Sequence, residues 1–358
     1  MLLSTTSNIL AWFADGTQVE FYWAAIAIGV TILSLIVFVV LLMAKYVRIS
    51  LNIFVDTPPP MSMSPMDFQR LIGEEVRFRS FDGTSLRGMF LRAPGDDYRG
   101  TIVFCHEYGS DMYSCARYAR PLLNAGFDIF TFDFRGHGES SNRGRYRPLQ
   151  WPSDKELEDV LGAVAYVESI LKVEGRPVEV GLFGISRGAG SGILAAGSTP
   201  SIKAIVCDGA FCTTQTLVAL MKRWARIFAT IKLVYENHTK SFWRTLVWLL
   251  IHCAQPKLGC RYLSVSKALR QMQARPIMFI HGQKDSYIRP EQAHYIYEQA
   301  AEPKYQWVVA DAKHNQSVVI EPEAYAQRTV AFFRKYLADE AIEEDAIRSP
   351  SSADIDVA

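Results

Sequence analysis

The 358-residue chain carries 38 Lys and Arg against 37 Asp and Glu, a net charge of +1, and is 49% hydrophobic. That balance can fill a sizeable core, and it excludes both a disordered polyelectrolyte and a chain whose overall charge is built to hold nucleic acid. There is no H-E-x-x-H, no paired Cys/His ligand spacing, no G-x-G-x-x-G and no Walker loop, so neither a metal nor a nucleotide cofactor is expected.

Residues 1–22 read as a short N-terminal segment. Trp23 to Met43 is a 21-residue run without a charged side chain, enough at helical rise to cross a hydrocarbon layer of roughly 30 Å. No Lys or Arg precedes Lys45, whereas a cleaved signal peptide carries basic residues before a shorter apolar core. The run therefore reads as a single transmembrane helix. Asp15 and Glu20 precede it and Lys45 and Arg48 follow it, which places the bulk of the chain in the cytoplasm by the positive-inside rule. Cys105 and Cys207 within apolar runs fit a reducing compartment. Residues 44–70, with Pro58-Pro59-Pro60, read as an extended linker.

Residues 71–338 read as one domain. Val76 to Ser80 and Leu86 to Arg92 flank Asp82-Gly83, the pattern of a β-hairpin. Apolar strands and helical segments then alternate: Thr101 to Cys105, Tyr113 to Ala125, Asp128 to Phe132, Ser153 to Val173, Val178 to Phe183, Arg187 to Thr199 and Ala204 to Cys207. Ser153 to Glu156 opens the longest helix with a capping box. The alternation resumes with strand Ile277 to His281, helix Pro290 to Ala300, strand Gln306 to Val309 and helix Pro322 to Ala338. Strands too apolar to face water predict an α/β fold, a mostly parallel sheet with helices on both faces. Residues 211–272 interrupt it as a helical insertion with ten Lys and Arg against one acid, Glu236. Its apolar run from Trp243 to Cys253 suits a lid helix, an interfacial segment or core. Residues 339–358 read as an acidic, disordered tail.

Chemistry concentrates at Gly184-Ile185-Ser186-Arg187-Gly188, between the apolar run Val178 to Phe183 and a small-residue helix. In that context the pattern is a strained strand-to-helix turn that pushes a serine hydroxyl above the sheet. A serine becomes a useful nucleophile when an imidazole takes its proton and a carboxylate orients the imidazole. Sites in open α/β sheets lie beyond the carboxyl ends of strands, so Asp285 and His314, each just after a strand, are the candidates. Asp208 is a rival acid; His294 lies within a helix and His281 ends a strand.

The order Ser186, Asp285, His314 resembles that of the α/β-hydrolase superfamily. The stretches carrying the resemblance are Phe104 to Gly109, Asp133 to Ser140, the serine turn, His281 to Asp285 and Lys313 to Asn315, spanning roughly Leu71 to Ala338. The Asp133 to Ser140 stretch is most similar to the serine aminopeptidase and monoacylglycerol-lipase-like branch. The resemblance implies an α/β-hydrolase fold with the insertion as a helical lid, and an oxyanion hole formed by the backbone N–H of Arg187 with that of Tyr108 or Glu107. Glu107 stands where the family usually has glycine. Asp133 to Ser140, with Arg135, is expected to brace the fold.

The combined expectation is a membrane-anchored serine hydrolase that cleaves a small-molecule or lipid acyl ester or thioester. The basic insertion is a second candidate contact with an anionic bilayer. Aminopeptidase-like amide hydrolysis and a non-catalytic membrane scaffold on the same fold are the alternatives.

Overall fold

Proline placement and apolar periodicity divide the chain into a long helix and a sheet-based domain. The computed structural model describes residues 4–56, 71–228 and 238–348, and two compact units separate between Phe54 and Val55. The first is α1, Ser4–Asp56, an uninterrupted helix of 53 residues, about 80 Å long at 1.5 Å per residue. Within it, Glu20–Val55 contains a window of mean hydropathy 3.0 and is long and apolar enough to cross a membrane. The helix exceeds the expected 23–43 span at both ends. Residues 44–56, expected as linker, continue it, because no proline interrupts the chain before Pro58. Residues 57–70 of that linker lie outside the described residues.

The second unit is built on eight strands: β1 Glu74–Arg79, β2 Ser85–Leu91, β3 Gly100–Cys105, β4 Phe127–Phe132, β5 Val180–Ile185, β6 Ile202–Asp208, β7 Ile277–Gly282 and β8 Lys304–Val309. They lie in the order β1-β2-β4-β3-β5-β6-β7-β8, with β1 and β2 antiparallel and β3 to β8 parallel. The chain steps from β3 outward to β4 and returns to β5 on the other side of β3. That reversal opens a crevice beyond the carboxyl ends of β3 and β5, where ligands bind in such sheets.

Alternation along the central strands supplies two core layers. In β3, Val103 and Cys105 join one apolar cluster while Ile102 and Phe104 join the other, and β5 splits Val180 and Leu182 from Phe183 and Ile185 in the same way. The first layer packs against α3 (Asp154–Val173) and α4 (Arg187–Ala196); the second packs against α2 (Ala116–Asn124) and the C-terminal helix Pro322–Tyr336. Burying each such aliphatic or aromatic side chain stabilises by roughly 1.5 to 3 kcal/mol.

The Asp133 to Ser140 stretch acts as a brace. Arg135 is 2% exposed, and its guanidinium donates to Asp159 at 2.7 Å, Asp82 at 2.7 Å and Ser80 at 2.8 Å, tying the β1–β2 turn to α3. Burial pushes the Asp159 carboxyl up to about 6, with Arg135 opposing the rise. Burial also acts to raise Asp82, but hydrogen bonds from Arg135 and Thr84 outweigh it and hold that carboxyl well below its usual range.

The insertion folds as α5 (Thr213–Phe228), α6 (Lys240–Leu258) and α7 (Val265–Gln271), with residues 229–237 outside the described set. Thr239 caps the start of α6 and Gly259, at φ 67°, ends it. Trp243, Leu246, Val247, Leu250, Ala254 and Leu258 are buried while Trp248 is 56% exposed. The Trp243 to Cys253 run is therefore one face of an amphipathic helix. Two short helices complete the domain before the last one: α8 (Pro290–Glu298) and α9 (Ser317–Ile320), followed by α10 (Pro322–Tyr336).

Residues 339–348, expected to be disordered, are ordered against the domain. Glu340 accepts from Arg99 at 2.7 Å and from Arg334 at 2.6 Å, Asp339 pairs with Lys203 at 2.8 Å, and Ile347 is buried. Residues 349–358 lie outside the described set.

Candidate active site

The turn between β5 and α4 places Ser186 at φ 52°, ψ −113°, a left-handed conformation rare for a residue with a side chain. Its flanking glycines make the turn possible. A Cβ on Gly184 would lie 2.5 Å from Ala189 Cα, and one on Gly188 would lie 2.1 Å from the Cys105 carbonyl oxygen. The close approach brings the serine turn against the end of β3.

Ser186 Oγ lies 2.8 Å from His314 Nε2, and His314 Nδ1 lies 2.6 Å from Asp285 Oδ2. The remaining Asp285 oxygen accepts the N–H groups of Tyr287 at 2.9 Å and Ile288 at 2.8 Å, so the loop after β7 fixes the carboxylate. Its side chain is 1% exposed, and that of His314 16%. Carboxylate contact at Nδ1 puts the imidazole proton there and leaves Nε2 to accept from the serine hydroxyl. Chain segments far apart in sequence thus converge in one relay of two hydrogen bonds. His281 backs the same loop, with Nε2 donating to the Ile288 carbonyl at 2.8 Å.

The rival acid has a different partner. Asp208 Oδ2 accepts from the Tyr325 hydroxyl at 3.0 Å, and burial raises this carboxyl to about 7. Its backbone carbonyl accepts the Ser186 N–H at 2.7 Å. Gly209 follows at φ 67°, where a Cβ would lie 3.1 Å from His314 Cε1. His294 is on α8, 66% exposed, and 4.0 Å from Glu298.

Three backbone N–H groups were candidates for an anion hole. Arg187 is the first residue of α4, so its N–H has no intrahelical acceptor. Among the described hydrogen bonds, the N–H groups of Glu107 and Tyr108 also have no acceptor. The loop carrying them is held by His106, which is fully buried: Phe134 N–H donates to its Nε2 at 3.1 Å and its Nδ1 donates to the Glu107 carbonyl at 2.6 Å. Burial, reinforced by the nearby Arg187 charge, lowers His106 to about 3 and keeps it neutral. The Glu107 carboxylate is engaged by the Ser114 hydroxyl at 3.3 Å, on the one-turn 3-10 helix Met112–Cys115.

Sequence reasoning missed the Arg187 side chain. Its guanidinium is buried behind the serine turn, 3.5 Å from Glu156, donating to the Leu149 carbonyl at 3.1 Å and facing the rings of Tyr108 and Phe134 at 5.3 and 5.0 Å. Nη2 also reaches His137 Nε2 at 3.3 Å, and burial together with Arg187 holds His137 well below its ordinary value. Glu156 was visible only as the second half of the capping box; in the fold it also accepts the Tyr146 hydroxyl.

Residues 96–245 match the model of the family described as serine aminopeptidase, S33. The chain is 24% identical over 271 residues to the Escherichia coli K12 protein YfhR, covering 74% of this chain and 79% of the relative. It is 25% identical over 263 residues to Bacillus subtilis YqkD, covering 72% and 77%. Among solved structures, it is similar to the Pyrococcus furiosus esterase Pf2001, with a TM-score of 0.56, 21% identity and coverage of 78% and 97% of the two chains. Similarity extends to the Pyrococcus horikoshii acylaminoacyl peptidase, with a TM-score of 0.52, 17% identity and coverage of 78% and 44%. With its sheet order, the serine turn between β5 and α4, and these matches, the chain has the α/β-hydrolase fold.

Proposed function

We propose that the protein is a membrane-anchored serine hydrolase that cleaves an acyl ester or thioester through an acyl-enzyme intermediate. The observation that carries this reading is the continuous relay from Ser186 Oγ through His314 to Asp285, at 2.8 and 2.6 Å. His314 Nε2 takes the hydroxyl proton as Oγ attacks the acyl carbon, and Asp285 stabilises the resulting imidazolium. The tetrahedral oxyanion is received by the N–H of Arg187 with that of Tyr108, or of Glu107 as the second choice. Each such donor contributes about 3 to 4 kcal/mol to the transition state. The imidazolium then returns its proton to the leaving alcohol or thiol. A water activated by the same nitrogen hydrolyses the acyl-serine and restores the hydroxyl.

In this reading α1 anchors the protein as a single pass with the catalytic domain on the cytoplasmic side, and helices α5, α6 and α7 of the insertion form a lid over the acyl site. The anchor and the amphipathic α6 favour a lipid-like acyl chain. The match to a serine aminopeptidase family favours a second reading, hydrolysis of an aminoacyl amide. A matched set of acyl esters, acyl thioesters and aminoacyl amides, turned over by full-length protein and by Ser186→Ala, separates the two. Ester or thioester turnover that disappears in the variant supports the first reading, and amide turnover supports the second. Equal turnover by both proteins contradicts the mechanism.

A further inference from the structure

Three cations of the insertion line a cleft that is open to solvent. Lys222, Arg223 and Arg226 on α5 form one wall of a cavity of about 720 Å³ whose opposite wall runs from Gln283 to Gln292, between β7 and α8. Small-molecule sites occupy roughly 300 to 1,000 Å³. The two walls are joined where Arg223 donates to the Ser286 carbonyl at 3.3 Å. The opposite wall adds Lys284 and Arg289.

The charge in this space is poorly compensated. Lys284 is held by Asp311 at 2.5 Å, but among the described residues Lys222, Arg223, Arg226 and Arg289 make no ion pair. Two carboxylates line the cavity, Asp285 and Glu291. Both oxygens of Asp285 are committed, one to His314 and the other to the loop N–H groups. With Glu291, on the first turn of α8, and Asp285, two acids face four cations. Cations converging on a concave wall raise the local concentration of anions. Guanidinium forks match the oxygens of phosphate and carboxylate groups.

The cavity adjoins the relay. Asp285 belongs to both, and the Tyr287 ring, which also lines the cavity, lies 5.4 Å from the His314 ring. From Asp285, the Ser186 hydroxyl is two hydrogen bonds and one imidazole away. We propose that this cavity is an anion subsite that selects acyl substrates bearing a phosphate or carboxylate group. The inference rests on Ser186 being the nucleophile of the proposed hydrolase. The same chemistry serves a lipid headgroup or a soluble phosphate ester.

The test compares full-length protein in neutral detergent with the variant Lys222→Gln/Arg226→Gln/Arg289→Gln. Two esters with the same acyl chain are used, one of glycerol phosphate and one of glycerol, together with direct titration of inorganic phosphate. The wild type is expected to favour the phosphate ester, chiefly through KM. The variant should lower the phosphate-to-neutral ratio of kcat/KM by at least about tenfold and weaken phosphate binding. A preference kept with monomeric ester assigns a soluble substrate, and one seen only in neutral vesicles carrying the ester assigns a lipid headgroup; both support the subsite. An unchanged ratio with unchanged phosphate binding overturns it while leaving the hydrolase intact. Phosphate binding lost in the variant, with neither ester cleaved by wild type, supports the subsite and defeats the hydrolase reading instead.

Discussion

The backbone N–H of Ser186 donates to the carbonyl of Asp208 at 2.7 Å, so the last residue of β6 holds the serine in its positive-φ turn. A side chain in that region costs on the order of 1 to 3 kcal/mol and persists only where its surroundings over-determine it. Here the neighbouring strand, the two glycines and the imidazole all fix the same hydroxyl.

Gly188 is the least replaceable of these supports. A methyl there would lie 2.1 Å from the Cys105 carbonyl oxygen and 2.6 Å from that of His106, both backbone atoms that cannot swing away. Gly188→Ala should lower stability by about 1 to 3 kcal/mol, read by denaturant unfolding. Wild-type stability in that variant would contradict the described packing of the turn on β3.

Residues acting as one relay should not lose activity additively. Ser186→Ala and His314→Ala should each reduce kcat by about 10⁴-fold or more, and the double variant should be little worse than either. Asp285→Asn should cost about 10⁴-fold, because it presents the wrong imidazole tautomer. Steady-state kinetics of the four variants checks this, and a double loss equal to the product of the single losses would argue against a shared step.

Arg187 and Glu156 are both fully buried, 3.5 Å apart, behind the serine turn. Removing one partner strands the other charge, so Arg187→Met and Glu156→Gln should each destabilise by about 3 to 5 kcal/mol. The double variant should lose clearly less than their sum. Additive losses in chemical denaturation would mean that the two charges do not compensate one another.

Asp208 gives stability a pH dependence of defined sign. Burial raises its folded carboxyl to about 7, with the Tyr325 hydrogen bond opposing the rise, whereas an unfolded aspartate titrates near about 3.9. Between those values the folded chain keeps a proton that the unfolded chain has lost. The contribution is therefore complete below about pH 4 and lost as pH rises through about 7. Asp208→Asn cannot titrate. Wild-type stability relative to this variant should fall by roughly 1 to 4 kcal/mol from about pH 4 to about pH 8, measured by unfolding at each pH. A difference that does not change with pH would contradict the buried, raised carboxyl.

The parallel strands and the serine turn were legible because buried strands must be continuously apolar and glycine must flank a tight turn. β5 is buried along its whole length, as its Val178 to Phe183 run predicts. Helix α1 outran its expected ends because composition marks where a membrane could lie, whereas no proline breaks the helix anywhere along Ser4–Asp56. Order in residues 339–348 depends on Arg99 and Lys203, which are remote in sequence from Glu340 and Asp339. The Arg187 network and the basic cavity were hidden for the same reason. Each joins segments whose proximity exists only after folding.

Reaction of full-length protein in detergent with a fluorophosphonate probe, with the labelled peptide located by mass spectrometry, tests the proposed nucleophile most directly. The account predicts stoichiometric labelling at Ser186, abolished in Ser186→Ala and strongly slowed in His314→Ala. Folded wild-type protein that stays unlabelled, or equal labelling of Ser186→Ala, would contradict it and favour a non-catalytic scaffold on this fold.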